Sequence, residues 1–381
     1  MRCIRVDVPG EPLKLHNEPI PEAPDTGAVV KVSYCGMCHS DVHFWEGGYA
    51  LSNGQTMRFE GRPGFKYPCA PGHEICGTVF SLGKSATSDS AKLGDQVVVY
   101  PWIYCNSCRA CRTGYNNSCD CEDVPPVYLG LTQDGGFADY VVVPDVRYLV
   151  TFPMSIPLPI ASQLPCSGLT AFNAVDEGVE FVKSTMEIKG NCCVVVFGAG
   201  GLGQWGVRFA RALYPPETQI ICTDVKQESL DAVTSDVKDV VPILTRNQTT
   251  EESVQRVKTT SVSGKGVDLV LDFVGLSETF IVAKNSLRML GRYHVCGLLG
   301  GQADFPLPDM VLHRIQMHGI KIGSFVQLKK LVKLLEKTPS LCANLPYSVH
   351  PLVDAQSVMH QLIDGKVTGR AVLRCGESDD C

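Results

Sequence analysis

The sequence contains no stretch approaching the ~18 consecutive apolar residues of a membrane-spanning helix, so no membrane association of that kind is expected. It has no dense run of Lys and Arg, and 40 acidic residues outnumber 34 basic ones, a net charge of −6. That balance argues against a nucleic-acid partner, which requires a basic patch to neutralise phosphates. Charged residues are sparse at 19% against 44% apolar, which excludes a disordered polar chain and fits a globular one. The opening residues Met1-Arg2-Cys3-Ile4-Arg5-Val6-Asp7 lack the apolar segment of a secretion signal, so a cytoplasmic location is expected. There is no internal repeat and no low-complexity segment, and 381 residues suffice for two domains.

Cysteine, by contrast, is abundant: 18 residues. A disulfide framework belongs to small secreted chains, and in a reducing compartment clustered cysteines are more often metal ligands. Cys3, Cys76, Cys192, Cys193, Cys222 and Cys342 are scattered and read as small buried apolar residues. Cys105, Cys108, Cys111 and Cys119 form a C-x2-C-x2-C-x7-C run. Four thiolates this close can close a tetrahedron around one zinc ion, leaving no position for substrate, so the site is expected to be structural. Unpaired loop thiols would be open to oxidation. An iron–sulfur cluster uses similar runs, and Cys121 could stand in for Cys119.

Residues 1–160 combine Gly- and Pro-rich turns with short β-type runs such as Ala28–Val32, Gln96–Tyr100 and Ala138–Val143, the texture of an antiparallel β domain with long loops. Near Cys166 the texture changes. Cys192–Phe197, Gln219–Thr223, Val267–Asp272 and Gly291–Cys296 read as buried strands, and Leu202–Leu213 as a helix between two of them. This rhythm predicts a parallel, doubly wound sheet. The last ~60 residues are mixed and are expected to fold back onto the first domain.

Gly198-Ala199-Gly200-Gly201-Leu202-Gly203 follows one of these strands and opens the helix. In that context G-x-G-x-x-G predicts a dinucleotide turn, with the pyrophosphate at the helix N-terminus. Asp224 ends the next strand, where a carboxylate accepts the ribose hydroxyls of NAD and repels the 2′-phosphate of NADP. Lys226 nearby weakens that preference.

Cys38-His39-Ser40-Asp41-Val42-His43, Gly72-His73-Glu74 and Cys166 are each weak signals alone. Together with the four-cysteine run, the glycine turn and Gly369-Arg370-Ala371-Val372-Leu373, in this order, the chain resembles the zinc-containing medium-chain alcohol dehydrogenases over nearly its full length. The resemblance implies an α/β fold: a GroES-like antiparallel β domain with the structural zinc lobe (1–166), a Rossmann NAD-binding domain (167–322), and a return segment (323–381) completing the catalytic domain. It implies that Cys38, His73 and Cys166 hold a catalytic zinc with its fourth position open, and that Asp41 orients the histidine. Glu74 resembles the acidic residue behind that metal, and Ser40 and His43 a relay passing the alcohol's proton to water. His39 and Arg370 resemble residues near the cofactor pyrophosphate, beside Gly198, Gly200, Gly201, Leu202 and Gly203.

The implied reaction is reversible oxidation of an alcohol to an aldehyde or ketone: a zinc alkoxide forms, the proton leaves through Ser40 and His43, and hydride passes to NAD. Two zinc ions per subunit, a small alcohol or carbonyl substrate and a homodimer or homotetramer are implied with it. A polyol dehydrogenase of the same superfamily is the alternative, although such enzymes often use a carboxylate as third ligand where Cys166 stands here. A non-catalytic zinc and dinucleotide binder is a further reading. Ala50 to Lys66 looks like an insertion relative to the family, read equally as a shaper of the substrate mouth, a subunit contact or a tolerated surface loop. Trp45 and Trp102 flank the metal motifs, where a place in the pocket and a place in the core are both open. After Gly323-Ser324-Phe325-Val326 the chain departs from the family pattern with Gln327-Leu328-Lys329, which puts cofactor contacts from that loop in doubt.

Overall fold

The structure is a computed structural model that describes residues 1–87 and 91–376. Two large sheets dominate it. The first is built from β1 (Ala28–Gly36), β2 (Glu74–Leu82), β3 (Gln96–Val99), β4 (Tyr140–Val143) and β5 (Leu149–Thr151). These strands are rich in Val and Ile, whose branched side chains favour the pleated surface. β1, β2 and β3 pair antiparallel in sequence order, β4 adds to β1, and β5 adds to β3.

The second sheet runs β6 (Cys193–Phe197), β7 (Gln219–Asp224), β8 (Val240–Leu244), β9 (Val267–Asp272), β10 (Leu287–Val295) and β11 (Gln316–Gly319). All pairings are parallel, in the spatial order β8-β7-β6-β9-β10-β11. β6 and β9 are buried at every position, as expected where helices cover both faces. The order reverses between β6 and β9, and dinucleotides bind in the crevice at the carboxyl ends of strands at such a switch point. Helix Gly201–Leu213 follows β6 and seals one face with Trp205 stacked on Phe209, 5.3 Å between ring centres.

The chain then returns. β12 (Tyr347–Pro351) and β13 (Arg370–Arg374) join the first sheet, β13 antiparallel to β1 and β12 parallel to β13. The first sheet is therefore mixed at this edge, where an antiparallel one was expected. The return strand places Arg370 near the end of β1, beside the loop that carries Cys38. Residues 48–58 form a small antiparallel hairpin, Gly48–Ala50 with Thr56–Arg58. Among the described residues no helix is long and apolar enough to cross a membrane.

Candidate active site

Cys38 caps helix His39–Glu46, and its backbone N–H donates to Asp41 Oδ2 at 2.8 Å. Asp41 is fully buried. Its Oδ1 also accepts from the Gly72 N–H at 3.0 Å and faces His73 Nδ1 at 3.1 Å. One carboxylate thus ties the Cys38 turn to the His73 turn. With Nδ1–H donated to Asp41, Nε2 keeps its lone pair. It is buried and has no hydrogen-bond partner, an orphan of the kind a metal satisfies. Cys166 arrives on a π-type turn, Leu164–Gly168, a distortion common at functional sites. The ligand atoms of Cys38, His73 and Cys166 all lie within 4.8 Å of one another, and all three residues are buried.

The electrostatics suit a cation. The Cys38 thiol lies well below the usual range because Cys166 donates to it, with Arg370 adding positive potential against the cost of burial. The Cys166 thiol lies well above the usual range, through its hydrogen bond to Cys38 and its burial. Two thiols and an orphaned imidazole nitrogen fit the soft and borderline donors that zinc takes.

Ser40 Oγ sits 3.8 Å from Cys38 Sγ, at the edge of this set. His43 lies on the same helix but is only 7% exposed, and neither ring nitrogen is hydrogen-bonded. Its Nδ1 is 3.6 Å from the Glu46 carboxylate, and its ring packs on Tyr49 at 4.8 Å. No hydrogen bond joins Ser40 to His43, so the expected relay is not a preformed wire and its far end is not at the surface. His39 is half-buried, and burial holds its pKa down.

Glu74 lies outside the metal-type group. Both its oxygens are occupied: Oε2 accepts from Arg370 Nε at 2.8 Å, while Oε1 takes the Ser167 N–H at 3.0 Å and Arg370 Nη2. Arg370 thus commits Nε and Nη2 of its guanidinium to Glu74. Its Nη1 is also 3.1 Å from where a Gly201 side chain would begin, so it bridges the three-ligand site and the glycine turn. The ion pair joins residues 296 positions apart, a link that no local pattern could announce.

At that turn Gly198 has φ +85°, a left-handed conformation that favours glycine. A side chain at Gly203 would strike the Gly198 carbonyl, while the position beside Gly200 is open, as a phosphate cradle requires. Leu202 is half-buried in the first turn of the helix. Asp224 ends β7 with both oxygens on main-chain donors: Oδ2 accepts from Ala199 N at 2.6 Å and Oδ1 from Lys226 N at 2.8 Å. Lys226 turns its ammonium to the Gly365 carbonyl.

Cys105, Cys108, Cys111 and Cys119 form the second convergent group, with Cys119 and not Cys121 as its fourth member. The Cys108 amide donates to Cys105 Sγ at 3.3 Å and the Cys111 amide to Cys108 Sγ at 3.4 Å. The first of these contacts holds Cys105 down to about 5. Trp102 lies against His73, 5.2 Å between rings, and donates to the Pro165 carbonyl. Trp45 bonds the Glu11 carbonyl at 2.7 Å and packs on His360, so it belongs to the domain surface.

This geometry can be set beside known proteins. Residues 24–154 match the family described as alcohol dehydrogenase GroES-like domain, and residues 201–337 match the zinc-binding dehydrogenase family. An NAD-dependent alcohol dehydrogenase from Sulfolobus acidocaldarius is 32% identical over 96% of this chain and 97% of its own. One from Sulfurisphaera tokodaii is 30% identical over 98% and 99%. The chain belongs to the zinc-containing medium-chain alcohol dehydrogenase family. The crystal structure of the alcohol dehydrogenase from the archaeon Aeropyrum pernix superposes with a TM-score of 0.81 at 25% identity, covering 98% of this chain and all of that one. The protein is accordingly an enzyme, an alcohol oxidoreductase with GroES-like and Rossmann parts.

Proposed function

We propose that this enzyme reversibly oxidises an alcohol to an aldehyde or ketone with NAD, holding one zinc ion on Cys38, His73 and Cys166 and a second on Cys105, Cys108, Cys111 and Cys119. The observation that carries the reading is the buried convergence of two sulfurs and an orphaned imidazole nitrogen, bridged to the glycine turn by Arg370. When bound, zinc supplies Lewis acidity toward a substrate oxygen and nicotinamide supplies a hydride acceptor.

The chain's own residues do the rest. Asp41 fixes His73 in the tautomer that presents Nε2. The Ser40 hydroxyl, beside Cys38, takes the substrate's proton, and His43 receives it with Glu46 as the acceptor behind. Burial of this set excludes water from the reacting carbon. The open backbone at Gly200 and the helix N-terminus behind it bind the pyrophosphate. Asp224 favours NAD over NADP through its negative charge, and Lys226, drawn to Gly365, does not offset it. A cysteine third ligand, with the nearby Glu74 committed to Arg370, supports a simple alcohol over a polyol as substrate.

The division into 1–166, 167–322 and 323–381, a homodimeric or homotetrameric state and a cytoplasmic location complete the proposal. The test is reduced-dinucleotide formation by the purified enzyme from a panel of primary, benzylic and secondary alcohols, with NAD and with NADP. NADH formation that a strong zinc chelator abolishes is expected. No turnover of any alcohol, or of any aldehyde in reverse, would overturn the reading.

A further inference from the structure

The crossover Lys321–Phe325 leaves the carboxyl end of β11 and carries the chain back toward the first sheet. It is held at nearly every residue by side chains from elsewhere. Asn117 Nδ2 donates to the Lys321 carbonyl at 3.2 Å, and Asn173 Nδ2 to the Ile322 carbonyl at 2.6 Å. Tyr100 Oη donates to the Gly323 carbonyl at 3.0 Å, and the Phe325 N–H donates to Asn116 Oδ1 at 2.9 Å. Asn116 Nδ2 in turn donates to Tyr100 Oη at 2.8 Å. Asn116 and Asn117 lie between Cys111 and Cys119, within the four-cysteine lobe, and Asn173 sits on the helix that follows the Cys166 turn.

The segment is not relaxed. Ile322 has φ +50°, a left-handed conformation that a β-branched residue adopts only when its surroundings impose it. A strained residue pinned on both sides stands here beyond the carboxyl end of the sheet's edge strand, on the side of the sheet where dinucleotides bind.

We infer that Asn116, Asn117 and Tyr100 are positioning residues for the dinucleotide, holding the Lys321–Phe325 crossover in the shape that completes its crevice. The four-cysteine lobe then has a second role besides stability: it presents the two asparagines. The inference rests on the dinucleotide reading above.

The test is NADH titration of the metal-loaded enzyme by fluorescence, on wild type, Tyr100→Phe/Asn117→Ala and Asn117→Ala alone. Metal content, melting temperature and steady-state constants are measured alongside. At about fivefold per neutral hydrogen bond, the double variant is expected to weaken NADH binding and raise the KM for NAD at least about fivefold. Asn117→Ala alone is expected to show a smaller rise in the same direction. The KM for the alcohol and the metal content should match wild type. Unchanged NADH affinity in both variants overturns the inference. So does an affinity that falls only in proportion to lost metal or folded protein, which marks a purely structural role. A wild-type enzyme that binds no NADH at all indicts the dinucleotide reading instead.

Discussion

Replacing Arg370 by methionine should destabilise this enzyme more than replacing Arg370 and Glu74 together. Glu74 is fully buried and Arg370 is 4% exposed. The guanidinium contacts both carboxylate oxygens. Removing the cation leaves a buried carboxylate whose one remaining donor is the Ser167 amide. Breaking a buried pair from one side costs ~3–5 kcal/mol, because the surviving charge is uncompensated. With Glu74→Gln added there is no charge left to compensate, and the loss falls to that of neutral hydrogen bonds, ~1–2 kcal/mol. Arg370→Met alone should therefore cost ~1–4 kcal/mol more than the double variant. Melting temperatures and urea midpoints of wild type, Arg370→Met, Glu74→Gln and the double variant complete the cycle. Single and double effects that add to within ~0.5 kcal/mol would refute the claim that the two groups act as one buried pair.

Other outcomes follow from the same structure. Asp41→Asn should lower metal affinity at the three-ligand site by roughly 10–100-fold, read by competition with a chelator. Asp224→Gly should relax the preference for NAD, measured as the ratio of kcat/KM for the two dinucleotides, and an unchanged ratio would remove Asp224 from that role. His294 is fully buried, with Nδ1 on the Ala174 carbonyl and His318 and Arg292 facing it, and burial lowers its pKa to about 4. The unfolded chain takes up this proton near pH 6.5 while the folded chain does not. Stability should therefore fall as pH drops from about 6.5 toward 4, by up to ~3 kcal/mol at the lower end. His294→Gln should flatten that part of the melting-temperature profile relative to wild type.

What the sequence revealed depended on how local each feature is. The glycine turn and the four-cysteine run each sit within a short segment, so spacing and flanking periodicity were enough to read their chemistry. Val267–Asp272 was legible to the residue because Val267, Leu269, Val270 and Leu271, all buried, give a short β-type run that ends at Asp272. Val240–Leu244 was missed: it is an edge strand with a proline at its centre and one buried residue. Tyr347–Pro351 and Arg370–Arg374 were read only as a segment folding back, because the partner of Arg370–Arg374 lies more than three hundred residues earlier. Cys38, His73 and Cys166 were assembled by family resemblance, since no spacing rule joins them. The commitment of Glu74 to Arg370 and the pinning of the crossover by Asn116 and Asn117 are tertiary facts that no periodicity encodes.

The most direct test of the account is zinc content measured with alcohol turnover and NADH binding in wild type and Cys166→Ser. The account predicts two zinc ions per chain in wild type and one in the variant, with alcohol oxidation lost and NADH binding kept. A variant that loses its zinc at this site yet oxidises alcohol at the wild-type rate would contradict it.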